Sequence, residues 1–327
     1  MKPTQPTMVY RPLLRQAWQK TWQRKSLWVF GLFAALLMNG GVFDAFLRSL
    51  HRIERTGQLF TDLLSDSVFG FQLFGAYLTQ IHTFNQTRVF LFITLLILFV
   101  IGLFATSLLS QHALIQGIGS TKPLEPKALR HHAFQGFWDI LAINFFVKTA
   151  SLILTFLCAL ILIGVFVGSS SWTPLLLFLV FLVFIPLIIL INIIGILALI
   201  VIVQKKTHAL NALHTAFYLF SQHGLATLEF GLSLFLLVFG AGALLLILSV
   251  FLLLPFWMLT LAALTYGSLT IYILLNIIVV IFFFSLFLLF IALSTTFHYA
   301  SWVGFYTRIT HKTFGSKVVS KLLRIVT

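Results

Sequence analysis

The 327 residues are 60% hydrophobic and 9% charged, with seven acidic side chains and a mean hydropathy of +1.06. These proportions exclude a water-soluble globule, in which about a quarter of residues are charged, a disordered chain, which is polar, and most enzyme designs that need several carboxylates. The formal charge of +14 does not point to nucleic acid, because the basic residues are dispersed between long apolar runs and not gathered on one domain. The composition predicts an all-α integral membrane protein with several crossings.

In chain order, residues 1–26 are polar and basic and run straight into an apolar stretch, which reads as an interfacial helix and an uncleaved signal anchor. A helix needs about 20 apolar residues to cross the hydrocarbon. Residues 27–38 fall short alone, and the first span reaches that length only if it continues past Asn39-Gly-Gly41 to 47. Residues 48–88 form an external segment, amphipathic over 58–83, and 89–110 is the second span. After a loop from 111 to 147 come spans at 148–168 and 174–203, parted by Gly168-Ser-Ser-Ser-Trp-Thr-Pro174. After a loop from 204 to 228 come spans at 229–254 and 270–296, with Pro255 and Tyr266-Gly-Ser268 marking the turn. Residues 297–327 read as a basic tail.

The prediction is therefore one domain of six transmembrane helices in three hairpins, each preceded by an interfacial amphipathic helix: 27–110, 111–203 and 204–296. Lys and Arg placement supports that parity, since cytoplasmic segments retain positive charge. Residues 1–26, the two long loops and the tail hold 16 of the 21 basic side chains. Both termini are expected in the cytoplasm, and the location is the cell (plasma) membrane.

Each of the three cytoplasmic segments that precede a hairpin carries a short pattern, alanine then an aromatic, with another aromatic three or four residues on. The copies are Ala17-Trp18 with Trp22, Ala133-Phe134 with Phe137 and Trp138, and Ala216-Phe217 with Phe220. Such spacings place the rings on one helix face. Lys20, Arg130 and His214 lie beside them. This is the composition of helices that rest on anionic headgroups.

The runs Arg15-Gln-Ala-Trp-Gln-Lys-Thr-Trp22, Leu27-Trp-Val-Phe-Gly-Leu32, Ala216-Phe-Tyr-Leu-Phe220 and Leu228-Glu-Phe230 resemble prokaryotic six-helix proteins labelled as the membrane domain of glycerophosphoryl diester phosphodiesterase. The resemblance covers most of the chain as architecture. In that family hydrolysis belongs to a separate soluble barrel, which these residues do not include, so it implies a membrane domain and no phosphodiesterase activity.

Polar groups at membrane depth are functional candidates by default. Lys148 leads: with a helix beginning at Asp139 it lies ~13 Å inside the interface, whereas with a span beginning at Ser151 its amine snorkels to the headgroups. Asn144 is one helical turn before it and can share its pocket. Glu229 opens the fifth span, as Lys148's ion-pair partner or as a solvated anion at a helix N-terminus. Asn192 and Asn276, within apolar runs, fit interhelical hydrogen bonds or a substrate site. Pro186 is expected to kink the fourth span, and Gly164 and Gly168 form a GxxxG packing pair.

Single Cys158 excludes an intrachain disulfide and a thiolate metal cage. Eight of ten histidines fall on the predicted cytoplasmic side, His131-His132 being their adjacent pair, but paired histidine boxes, an HExxH and a Walker loop are missing. No catalytic residue, cofactor or metal is expected. The expected partners are membrane lipids with anionic heads, and a protein partner or second copy. The leading function is a non-catalytic lipid- or protein-interacting membrane module, the alternatives being a small transporter or permease and a lipid-modifying enzyme.

Overall fold

The computed structural model describes residues 10–37, 86–120, 125–167, 173–267 and 269–311. Among them eight helices follow in order: α1 (Tyr10–Gln23), α2 (Leu27–Ala35), α3 (Gln86–Gly119), α4 (Pro126–Gln135), α5 (Phe137–Val167), α6 (Thr173–Lys205), α7 (Ala209–Thr265) and α8 (Leu269–His311). No strand occurs among the described residues. Helices α3 and α5 to α8 are each long and apolar enough to cross a bilayer. The chain is thus a multi-pass helical membrane protein. Residues 38–47 of the expected first span and all of the external segment 48–88 but its last three residues lie outside the described residues.

The helices outrun the predicted spans, chiefly at one end. Helix α5 begins at Phe137 and α7 at Ala209, and α3 continues to Gly119. Residues 297–311, read as the start of a solvated tail, belong to α8, and Phe297, Tyr299, Trp302 and Phe305 are buried there. The reason is physical: the predicted boundaries followed lipid-compatible composition, whereas these extra turns mix polar and apolar residues and bury against protein. Pro255 lies inside α7, and the turn falls at Gly267, whose φ of +68° suits a residue without Cβ.

Burial divides the molecule into two zones. At the packed end, Leu13 and Ala17 of α1, 113–115 of α3, 197–202 of α6 and 299–306 of α8 share one apolar core. At the other end the helices are exposed around most of their circumference. Leu175, Leu176, Phe178 and Phe181 are all exposed, although at ~100° per residue they point in well-separated directions. The exposed stretch of α8, 271–289, is ~27 Å long at 1.5 Å per residue, close to the ~30 Å hydrocarbon core. The parted end therefore has the length and the all-round apolar surface that acyl chains can surround, and the packed end does not.

Three breaks in helical geometry interrupt the chain at the packed end. Helix α1 passes into α2 through a turn at 24–26, and α4 into α5 at Gly136. Within α7 the backbone leaves helical geometry at His223, with φ −126° and ψ 25°. The ends left open are capped by charge. Arg24 donates from Nη1 to Gly117 O and from Nη2 to Ser120 O at 3.0 Å, and Lys20 Nζ reaches Ile118 O at 3.4 Å. These cations satisfy the last carbonyls of α3, where the helix dipole favours them. Asp139 Oδ1 accepts from Ala209 N at 3.0 Å and so caps the start of α7.

Glycine sets the closest approach. A Cβ on Gly31 of α2 would fall 2.6 Å from Ala292 O of α8, and closer still to Thr296 Oγ1, so the two helices cross backbone to backbone. Gly164, by contrast, has open space around it, and it packs against nothing among the described residues. Its GxxxG partner Gly168 lies outside them. Pro186 sits in α6 with its ring exposed.

Candidate functional site

Where the packed end gives way to the parted helices lies a cavity of about 360 Å3. Helices α3, α5, α6, α7 and α8 all contribute to its wall, and Leu37, just beyond α2, closes one side. Most of the lining is aliphatic, but three residues expected as candidates from the sequence meet in it: Asn144, Lys148 and Asn192. Asn144 and Lys148 reach it one turn apart on α5 and Asn192 reaches it from α6, just inside the buried core residues Ile143, Ile193 and Leu197.

A hydrogen-bonded chain crosses the wall. Asn144 Nδ2 donates to Gln111 Oε1 at 2.8 Å and to Ile140 O at 2.9 Å, and Gln111 Nε2 donates to Tyr299 Oη at 2.5 Å. It ties α5, α3 and α8 together with amide and phenol groups that would be costly to bury unpaired. Asn192 Nδ2 bonds to Ile188 O of its own helix at 2.8 Å. Lys148 is half-buried at the edge. It lies one helical turn past Asn144, at the level where exposed apolar surface begins.

Two residues of the wall each carry a buried polar atom with no hydrogen-bond partner among the described residues, Nε2 of His298 and Nε1 of Trp302. They lie one helical turn apart on α8, ring centroids 6.3 Å apart, and Trp302 is 2% exposed. An indole N–H is a donor only, and an unmet buried donor costs about 1–3 kcal/mol. This stretch of α8 was read from sequence as tail, so neither residue was a candidate; the signal that reveals them is helical continuity from Leu269 with no proline and His298 and Trp302 at i, i+4.

The other candidates fall elsewhere. Asn276 is exposed on the parted part of α8, with Nδ2 on Tyr272 O at 2.8 Å. Glu229 sits at the packed end, where its Oε2 accepts from Tyr10 Oη at 2.8 Å and links α7 to α1. Burial, then the hydrogen bond to Glu229 and its negative charge, push the Tyr10 hydroxyl above the ordinary tyrosine range. A group whose pKa is raised on folding lends stability that is intact below its unfolded value, about 10, and is lost as pH rises past it. Thermal unfolding of purified protein should show that alkaline decline. Tyr10→Phe should cost about 1–3 kcal/mol at pH 8 and make the decline shallower; an unchanged alkaline limb would refute the assignment.

Among the described residues no three His, Cys, Asp or Glu side chains gather as a metal site would require. No family model, curated protein or solved structure matches this chain.

Proposed function

We propose that this protein is a non-catalytic plasma-membrane module that engages anionic inner-leaflet lipid, with its packed end and both termini in the cytoplasm. In this reading it has six spans in three hairpins, each led by an interfacial helix. The observation that carries it is common to the three short helical segments. Ala17, Ala133 and Ala216 are buried, and the aromatic after each is turned outward: Trp18 is 45% exposed, Phe134 65% and Phe217 58%. Exposed Arg15 and Lys20, Arg130 and His131, and His214 stand beside them. Rings toward acyl chains and cations toward phosphates are what an interfacial helix needs. The break at 24–26, at Gly136 and at His223 then turns each segment into its span, which supports a threefold unit. The likeness to the membrane domain of glycerophosphoryl diester phosphodiesterase enters as architecture only.

Purified in mild detergent, the protein should retain phospholipid visible by native mass spectrometry, and adding anionic lipid after delipidation should raise its unfolding temperature. Lipid-free purification with no response to anionic lipid would overturn the reading. The cavity itself favours a second reading, a small permease, since transporters place polar groups between helices within the membrane; that reading requires solute flux in reconstituted vesicles.

A further inference from the structure

We propose that the cavity at the base of the parted helices is a binding site for the phosphate head of a membrane lipid, its acyl chains leaving between α6 and α7. The proposal rests on the lipid-engaging reading above and adds a defined internal site to it.

The chemistry of the wall selects an acceptor. Lys148 supplies a cation with donors and no acceptor, and Trp302 supplies a donor only. Its Nε1 and the Nε2 of His298 are buried without partners among the described residues, so the wall holds hydrogen-bonding capacity that its own protein neighbours leave unused. No carboxylate is among the described lining residues. A phosphate oxyanion meets both demands at once, giving charge-assisted hydrogen bonds to the indole and the ammonium. A cationic or purely donor-bearing ligand would meet neither.

The shape selects a lipid. A volume of about 360 Å3 is at the small end of ligand sites, ~300–1,000 Å3, enough for a headgroup but not for a whole two-chain phospholipid. The mouth is apolar: Ile189 of α6 and Phe235 of α7 line the cavity and are themselves exposed, and the exposed aliphatic stretches of both helices continue outward from them. A head held by Lys148 and Trp302 therefore has its tails in acyl surroundings. The level is that of the lipid heads, because the exposed apolar lengths beyond the cavity already match the hydrocarbon thickness.

The test uses full-length protein, delipidated in detergent and titrated with phosphatidic acid, phosphatidylcholine or inorganic phosphate, with bound lipid counted by native mass spectrometry. One phosphatidic acid should bind more tightly than any phosphatidylcholine. Trp302→Phe, which keeps an aromatic ring but removes the donor, and Lys148→Met should each weaken it about tenfold or more, the worth of a hydrogen bond to a charged group. Lys148→Met alters no fully buried group, so it decides the matter if Trp302→Phe folds poorly. Equal binding of both lipids, or wild-type affinity in both variants, would overturn the internal site while leaving general lipid retention intact. Displacement by inorganic phosphate at concentrations like those of the lipid would overturn a lipid source and assign the site to the free anion.

Discussion

Gly31→Ala is expected to destabilise the protein by about 3 kcal/mol, the upper part of the ~1–3 kcal/mol range for overpacked sites. The added carbon meets the carbonyl oxygen of Ala292 at 2.6 Å and Thr296 Oγ1 closer still. A side chain can rotate away, but a backbone oxygen inside α8 cannot, so α2 must shift as a body and pull Phe30 and Ala34 out of the core. Gly102→Ala is the control: it too is a helical glycine, and nothing stands within 4 Å of its would-be Cβ. Fluorescence-detected unfolding in one detergent should separate the two variants by several degrees. Identical midpoints for Gly31→Ala and wild type would show that α2 and α8 do not cross at this distance.

Phe230→Ala should have an effect at least as large, about 3–5 kcal/mol for a fully enclosed aromatic. Phe230 is 0% exposed. Its ring stacks on Phe305 at 4.5 Å and 5°, meets Trp302 edge-on at 5.2 Å and touches Tyr10 at 5.8 Å. Removing it opens a void among α1, α7 and α8 and loosens the wall behind Trp302. Leu246→Ala, on the exposed part of the same helix, should change stability little, because acyl chains fill the space that the leucine leaves. Comparable losses at 230 and 246 would contradict the division into a protein-packed and a lipid-facing zone.

Five of the expected spans were legible because a lipid-facing helix must be apolar around its circumference, and nothing else in a sequence of 327 residues looks like that. Their inner ends were not legible. Once a helix leaves the hydrocarbon its neighbours are protein, and mixed runs such as His298-Tyr-Ala-Ser-Trp302 resemble any surface segment until their partners are known. The same contrast governs the cavity. Asn144, Lys148 and Asn192 stand out as polar letters in apolar text, and all three converge. Gln111, His298 and Trp302 stand in polar company and gave no signal of their own. Asn276 shows the limit of that signal, since an asparagine can satisfy itself on the carbonyl one turn back and still face lipid.

The break at His223 is a further case. Two prolines, Pro186 and Pro255, advertise interruptions, yet both lie within continuous helices, while the departure from helical dihedrals occurs at His223. In a membrane helix the hydrogen bond that proline removes is a local loss absorbed by small adjustments.

Because the parted helices meet oil on nearly all sides, the bilayer serves as a structural component of this molecule and not merely its surroundings. Among the described residues the outer parts of α6, α7 and α8 are mostly exposed, so neighbouring hydrocarbon helps to set how far apart they stand. Stiffer or thicker membranes should therefore press the rods together and narrow the mouth of the cavity, making a mechanical property of the sheet an input to whatever the pocket holds.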